Sequence, residues 1–474
     1  MNQEPIYVQH IHRCQFSVVK ETDIAAEDLH TLKARLTVYD DDTKKTTECF
    51  YKDEKGFYYF PRNAVVSDSV KETHPEPKRI SEGAKFLGSL REEQKAPFEE
   101  GFDTDTLLLA PCGHGKTVMA AKRIVELGVR TIVVVPTTYL MRQWYESLTA
   151  FTEGLIITKA VPSKFFGAEK FDVLIITMDL LTERNFPPSF YTRVGHIVFD
   201  ECHRLGAPTY HPILNQFNCR YRLGLTATMR RQDGMDTVLV ADFGKAVRKV
   251  QYSLPKAFVY ALKTGEECKI KQEALYINNL TKKSARTKLF VNTAVKAVKE
   301  GRRVLFLSKR KEILFDIEQM LHKEGVTDTV VLVESTNNEG LQQKIVSTPF
   351  SVILGIRQIA EYGFDCQFID TLIMFHPVSD PEQAVGRVTR RYKDKKYPLV
   401  IFPLDEKHTE DEEEEYTSGS GWRKAVKLKK KVSLGRKKLN AAKRRHVMPN
   451  GDFVTVVNDY EEIPNSVRSK AYPC

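Results

Sequence analysis

Residues 107–124 read LLLAPCGHGKTVMAAKRI, a short apolar run, a loop of small residues around one lysine, and a helix-periodic run. Leu107 to Leu109 reads as a buried strand. Val118, Ala121, Ile124 and Val125 recur at helical spacing, which predicts a helix starting near Lys116 or Thr117. The loop's backbone N–H groups and the helix N-terminus then converge on one spot, an arrangement that suits a phosphate. Pro111, Cys112, Gly113, His114, Gly115 and Val118 belong to that cradle, Lys116 can reach the outer phosphates, and the Thr117 hydroxyl can hold Mg²⁺. The usual pattern is G-x-x-x-x-G-K-[ST], and here its first position is Ala110. An ordinary strand-turn-helix with a surface lysine satisfies the same stretch, so the rest of the chain has to decide.

From about 85 to 245, strand-like runs alternate with helical ones: TIVVVP, VLIIT, HIVFD and RLGLTA. A second series, RVLFLS, TVVLVE, SVILGI, TLIMF and PLVIF, runs from about 285 to 405. Alternation of this kind predicts parallel sheets wrapped by helices. The fold class expected is therefore α/β, with two lobes over 85–248 and 249–408. Residues 1–80 read as a small α+β module. TDIAAEDLHTLKARL is its helix, capped by Thr22 or Asp23, and strands follow that carry Tyr39, Phe50, Tyr51, Phe57, Tyr58, Tyr59 and Phe60 among lysines. Those aromatics serve equally well as a small core or as a platform on which bases stack.

Six consecutive acids, residues 410–415, open a linker, and a basic segment completes the region 409–474. Arg423 to Arg445 holds twelve Lys or Arg and no Asp or Glu, which exceeds the whole net charge of +10. The basic character thus resides in one stretch, where Arg423, Lys424, Lys429 and Lys430 are candidate phosphate contacts. No run of about 20 apolar residues is present to span a membrane. The N-terminus lacks the basic-then-apolar pattern of a secretory signal. Eight cysteines are scattered without a C-x-x-C pair, which suits free thiols in a reducing compartment. The expected location is the cytoplasm or nucleoid, or the host cytoplasm for a phage protein.

A nucleotide held by Lys116 and Thr117 calls for a carboxylate at the end of a neighbouring strand, and HIVFDECH supplies two. Asp200 can take the metal, and Glu201 can orient and polarise the attacking water. Phosphoryl transfer rests on positioning and charge neutralisation of that kind. Alone, the Asp-Glu pair would be a turn and a helix cap.

In order, APCGHGKT, DECH, GLTAT and QAVGRVTR resemble the superfamily 2 helicases and translocases of the DEAD/H-box type, over roughly residues 85–405. That resemblance implies two RecA-like lobes, ATP as substrate and Mg²⁺ as cofactor. Gln94 looks like the adenine-reading glutamine, with Arg91 beside it. His203, Thr226 and Thr228 are implied to couple hydrolysis to lobe movement. Pro136, Thr137 and Arg142 in VVPTTYLMRQW, and Ser308 and Arg310 in FLSKR, match strand-contacting segments. Gln383, Gly386, Arg387 and Arg390 match the final motif, whose arginines meet the γ-phosphate. An arginine delivered there is worth on the order of 10³–10⁵ in rate. Trp144 reads as core packing.

GLTATMRRQDG is similar to the branch holding the xeroderma group B-type helicase, where an Arg-Glu-Asp element follows the threonines. Here it reads Arg231-Gln232-Asp233, without the central acid. The small aromatic module and basic segment also resemble phage recombination helicases of the UvsW type. What this implies is an enzyme acting on branched or forked DNA, with single- and double-stranded regions as partner, monomeric on DNA and without a membrane. ILGIRQIAEYGFD keeps Gly363 and Asp365 of a coupling motif, with Arg357 where a threonine is common, suited to a phosphate contact. An RNA-remodelling ATPase would use the same machinery. A non-enzymatic ATP-sensing scaffold would lack Glu201 or the arginines. A restriction-type motor lacks, here, a nuclease-like acid cluster.

Overall fold

The computed structural model describes residues 5–40, 44–99, 105–110, 113–163, 170–227, 234–244, 247–249, 257–268, 273–333, 350–356, 366, 368–376, 382–389, 392, 395–407, 445–447 and 453–470. The chain divides into two compact units, Met1–Tyr252 and Ser253–Cys474.

The first unit is built on a seven-stranded parallel sheet. Its order across the sheet is Ile157–Lys159, Val173–Thr177, Thr131–Val135, His196–Asp200, Tyr221–Thr226, Thr106–Leu109 and Val247–Lys249. Every residue of Thr131–Val135, Val173–Thr177 and His196–Asp200 is buried. Strands covered on both faces can be apolar at every position, which is why these segments read as continuous runs. On one face, helices Lys116–Leu127 and Thr138–Phe151 bury Met119, Ala120, Ala121, Ile124, Trp144 and Leu148 against Leu108, Val133, Ile175 and Val198. On the other, Phe186, Phe190, Leu239 and Phe243 pack on Ile132, Leu174, Ile197 and Phe199. The stripe of helix Lys116–Leu127 is rotated from the expected one, because Val118 and Val125 are only half-buried. Gly224 has no room for a side chain: a Cβ there would lie 3.0 Å from Leu107 and Phe243 and 3.1 Å from the Cys202 sulfur.

The N-terminal residues form a five-stranded sheet in the order Tyr51–Lys52, Phe57–Phe60, Ser17–Lys20, His10–Arg13, Ser69–Glu72. Tyr58 and Phe60 point into its core, while Tyr51 and Tyr59 stack on the other face with centroids 4.4 Å apart. Tyr58 and Phe60 thus take the core use, while Tyr51 and Tyr59 lie outside that core. Helix Ala26–Leu36 follows a 3₁₀ turn over Glu21–Asp23, and its N-cap is Ala25 without a side-chain bond, so neither Thr22 nor Asp23 caps it. Met235, the N-cap of helix Asp236–Phe243, and Val238 within that helix enter the same core. Arg62 is buried where this sheet meets the larger one: its Nε lies 2.9 Å from Asp105 Oδ2, and it donates to the carbonyls of Cys219 and Arg220.

The second unit carries eight strands in the order Thr329–Leu332, Val352–Ile356, Val304–Ser308, Thr371–Met374, Leu399–Lys407, Phe258–Cys268, Phe453–Val457, Arg445–Val447, parallel except for the last pair. Phe453–Val457 pairs with Phe258–Cys268, Lys296 bridges Asp459 at 3.0 Å, and Arg302 donates to the Val467 carbonyl. The region 409–474, expected as acidic linker and basic segment with a short strand in DFVTVV near 452, ends inside this fold, with that strand at Phe453–Val457. No described helix is long and apolar enough to cross a membrane.

Removing Arg62 strands a buried carboxylate, a change that costs ~3–5 kcal/mol. The expected outcome for Arg62→Ala is a clear drop in the urea midpoint. Lys52→Ala, which breaks the solvent-exposed pair with Glu21, should cost less than ~1 kcal/mol. Equal losses in the two variants would contradict this account of the interface.

Candidate nucleotide-hydrolysing site

The parallel register brings three strand ends to one edge. Thr226 pairs with Leu109, Asp200 with Leu225, and the Ala110 amide donates to the Thr226 carbonyl at 3.0 Å. From Ala110 the chain passes to Gly113 (φ +78°) and Gly115 (φ +82°), both left-handed, and the helix begins at Lys116. Gly115 is also sterically required, since a Cβ there would fall 2.4 Å from Gln94 Nε2. Lys116 Nζ donates to the Ala110 carbonyl at 3.1 Å, and Thr117 and Val118 follow it on the first turn. Pro111 and Cys112 lie outside the described residues.

Arg91 and Gln94 hold this loop from behind. The Gln94 amide donates to the His114 carbonyl at 2.6 Å and accepts from the Arg91 amide at 2.9 Å. Arg91 Nη2 reaches the Gly113 carbonyl at 3.3 Å. Both ends of the Gln94 amide thus serve loop and helix geometry. His114 is buried, and burial together with the Arg91 charge lowers its pKa, so it is neutral near pH 7.

Asp200 is 7% exposed at the end of its strand. Burial and then the neighbouring Glu201 charge push its carboxyl up to about 6, while Lys116 and a hydrogen bond from Trp144 pull it down. Trp144 Nε1 donates to Asp200 Oδ2 at 2.8 Å. The sequence placed Trp144 in the core, where it is, but missed this second role. The available signal was chemical, because a buried indole N–H needs an acceptor. Glu201 sits at φ +48°, ψ +48°, a backbone state uncommon for a residue with a Cβ. Its Oε2 lies 3.4 Å from His203 Nδ1, and His203 Nδ1 is 3.0 Å from the Thr226 hydroxyl.

The other expected residues divide as follows. Pro136 is buried, and the Thr137 hydroxyl caps the helix Thr138–Phe151 by accepting from the Leu140 amide at 3.3 Å. Arg142 pairs with Glu146 at 2.7 Å. In the second unit Ser308 is buried, donating to the Arg310 carbonyl and accepting from its amide, while Arg310 Nε donates to Asn278 at 2.8 Å. Arg387 is buried on helix Glu382–Val388. The side chain of Gln383 lies outside the described residues, as do Thr228, Arg231, Arg357, Gly363, Asp365, Arg390, Arg423, Lys424, Lys429 and Lys430.

The donor set fits a nucleoside triphosphate and Mg²⁺. A glycine-turned loop at a helix start offers N–H groups to phosphate, and Thr117 and Asp200 carry hard oxygens of the kind that suits Mg²⁺. A carboxylate whose pKa is raised by burial and a second carboxylate is one that a cation would return to its charged form.

Residues 85–231 match the family described as the type III restriction enzyme res subunit. A protein of Acanthamoeba polyphaga mimivirus named "Putative ATP-dependent RNA helicase" is 25% identical over 351 residues, 68% of this chain and 65% of that protein. A "Probable helicase" of Escherichia phage T5 is 25% identical over 66% of this chain and 70% of its own length. The chain is thus similar to viral and phage helicases over about two thirds of its length. Among solved helicase structures, S. cerevisiae Dbp5 bound to RNA and ADP BeF3 superposes with a TM-score of 0.51 at 14% identity, covering 80% of this chain and 93% of that one. That likeness confirms two RecA-like lobes as the fold. T4 UvsW is matched over 87% of this chain and 93% of that one, with a TM-score of 0.39 and 18% identity. In this chain the loop, the Asp200–Glu201 pair and the His203–Thr226 contact lie on one sheet edge.

Two outcomes test this electrostatic account. A carboxyl with a raised folded-state pKa penalises folding once it ionises, so the penalty develops as pH rises from about 4 to above 6. Asp200→Asn should unfold at higher urea than the wild type in EDTA at pH 8, by on the order of 1–3 kcal/mol, and the gap should close near pH 4. Trp144→Phe keeps an aromatic ring and removes the N–H that favours ionised Asp200. Its ATPase pH profile should have an acid limb shifted upward by about one pH unit, consistent with ~1.5–3 kcal/mol for a hydrogen bond to a charge. An unmoved acid limb would show that the indole only packs.

Proposed function

We propose that this chain is an ATP-driven motor that translocates on nucleic acid and acts on branched or forked DNA. The observation that carries the ATPase reading is the meeting of Lys116, Asp200, Glu201 and Trp144 at one sheet edge. Bound Mg²⁺ would supply charge neutralisation at the outer phosphate oxygens. Lys116 adds its ammonium to the same region from the helix start. Glu201, turned out of the strand by its left-handed backbone, presents a carboxylate that can take a proton from the attacking water. His203, between Glu201 and the Thr226 hydroxyl, ties the state of that carboxylate to the next strand end. Pro136 and Thr137 follow the neighbouring strand, so the segment assigned to a tracked strand starts one strand away from Asp200. By resemblance alone, Arg387 and Arg390 are assigned the charge that develops on the transferring phosphoryl group.

The branched-DNA reading is supported by the GLTATMRRQDG stretch, the aromatic N-terminal sheet and the basic segment at 423–445. The scattered thiols suit a cytoplasmic or nucleoid setting. An RNA substrate is the second reading, favoured by the printed name of the mimivirus relative. The test is ATP hydrolysis without nucleic acid and with single-stranded DNA, duplex, a four-way junction or structured RNA. The expected result is strongest stimulation by the junction, with Glu201→Gln lowering turnover by about 10²-fold or more. Stimulation by RNA alone would replace the substrate and leave the ATPase in place.

A further inference from the structure

The opposite ends of the same strands carry a second concentration of charge. Lys78 comes from a strap over 77–80, Arg130 precedes strand Thr131–Val135, Lys170 precedes Val173–Thr177, and Arg193 precedes His196–Asp200. Backbone hydrogen bonds lace these loops together. The Arg130 amide donates to the Lys78 carbonyl at 2.7 Å, the Lys78 amide to Arg193 at 3.4 Å, and the Gly195 amide to Arg130 at 3.0 Å. Gly195 lets the strap sit this close, because a Cβ there would meet Pro77 at 2.6 Å. The Arg130 guanidinium is half-buried over the Phe171 ring, 4.4 Å from its centroid. Lys78, Lys170 and Arg193 are exposed.

None of these four cations has a salt-bridge partner among the described residues. The acid beside Arg130 is Asp172, which is buried and accepts from the Ser81 amide and hydroxyl and the Ile156 amide at 2.6–3.1 Å. Like charges dominate instead: Arg130, then Arg193, and further off Lys170, all lower the Lys78 pKa. The fold holds these loops together against that repulsion. An anion spanning them would relieve it. At ~3.3 Å per residue, five-residue strands separate this edge from the nucleotide loop by about 16 Å.

We propose that Lys78, Arg130, Lys170 and Arg193 form a second nucleic-acid contact that grips the phosphate backbone of a duplex arm. The proposal rests on the motor reading above and deepens it, since a junction presents more than one arm to its enzyme. Duplex phosphates match a multi-loop cluster of cations whose neighbouring carboxylate, Asp172, is already bonded to Ser81 and Ile156, and the contact reads no sequence.

The test uses the full chain with Lys78→Glu and Arg193→Glu combined, and Lys78→Gln with Arg193→Gln as the milder form. Binding of a 20-bp DNA duplex and its RNA counterpart is followed between 50 and 200 mM salt, beside ATPase stimulated by a short single-stranded oligonucleotide. The expected result is a fall of about tenfold or more in duplex affinity and a loss of about 2 from the salt slope, at ~0.9 per phosphate contact. Single-strand-stimulated turnover should be unchanged. Loss confined to the RNA duplex would keep the contact and change the nucleic acid it takes. Unchanged duplex affinity and slope, with the oligonucleotide still stimulating hydrolysis, would overturn the contact alone. A wild-type chain that no nucleic acid binds or stimulates would overturn the contact and the motor reading together.

Discussion

The Asp200 carboxylate is the charge around which the first unit is organised. It lies at the end of a strand buried on both faces, beside a second carboxylate, where burial pushes its pKa up to about 6. Besides the Glu201 amide, two side chains hold it toward its ionised form, and each belongs to a different helix: Lys116 opens Lys116–Leu127, and Trp144 lies midway along Thr138–Phe151. Both helices pack on one face of the sheet. The chemistry at Asp200 therefore depends on the packing of that face. A buried carboxylate without its hydrogen-bond donors would remain neutral.

From Asp200 the dependence passes sideways through the sheet. Glu201 leaves the strand with φ +48°, a state that costs on the order of 1 kcal/mol for a residue with a Cβ. That turn sets its carboxylate 3.4 Å from His203, which meets the Thr226 hydroxyl on the neighbouring strand. Thr226 in turn pairs with Leu109, the last residue before the phosphate loop. A change in charge at Glu201 thus has a short covalent and hydrogen-bonded route to two adjacent strand ends. Gln94 closes the circuit from outside by fixing the His114 carbonyl, and with it the orientation of the loop.

Much of this was legible from residue order, for a physical reason. Strands covered on both faces leave uninterrupted apolar runs, so VLIIT and HIVFD coincide with the strands residue for residue. What stayed hidden depends on contacts distant in sequence. The buried stripe of helix Lys116–Leu127 includes Met119 and Ala120 in place of Val118 and Val125, since the face a helix buries is set by its tertiary neighbours. Helix Ala26–Leu36 starts after Ala25 because a 3₁₀ turn uses Thr22 and Asp23 first. Trp144 and Asp200 are 56 residues apart, and nothing local to either announces the bond. The return of Phe453–Val457 to the second sheet was visible as a short strand, but its partner, Phe258–Cys268, lies almost 200 residues earlier.

The two edges of the first sheet follow opposite charge rules. At the nucleotide edge the Lys116 charge acts on Asp200, which lies beside a second carboxylate, Glu201. At the other edge Arg130 and Lys78 are held together by backbone bonds while Asp172, the acid within reach, is spent on Ser81 and Ile156. Repulsion confined to exposed side chains is cheap in water but grows where a guanidinium is partly withdrawn from solvent, as Arg130 is over Phe171. A chain with most of its excess positive charge in one C-terminal stretch has little electrostatic reason to concentrate four more cations here. The sheet thus sets two edges of opposite charge logic at the two ends of the same strands.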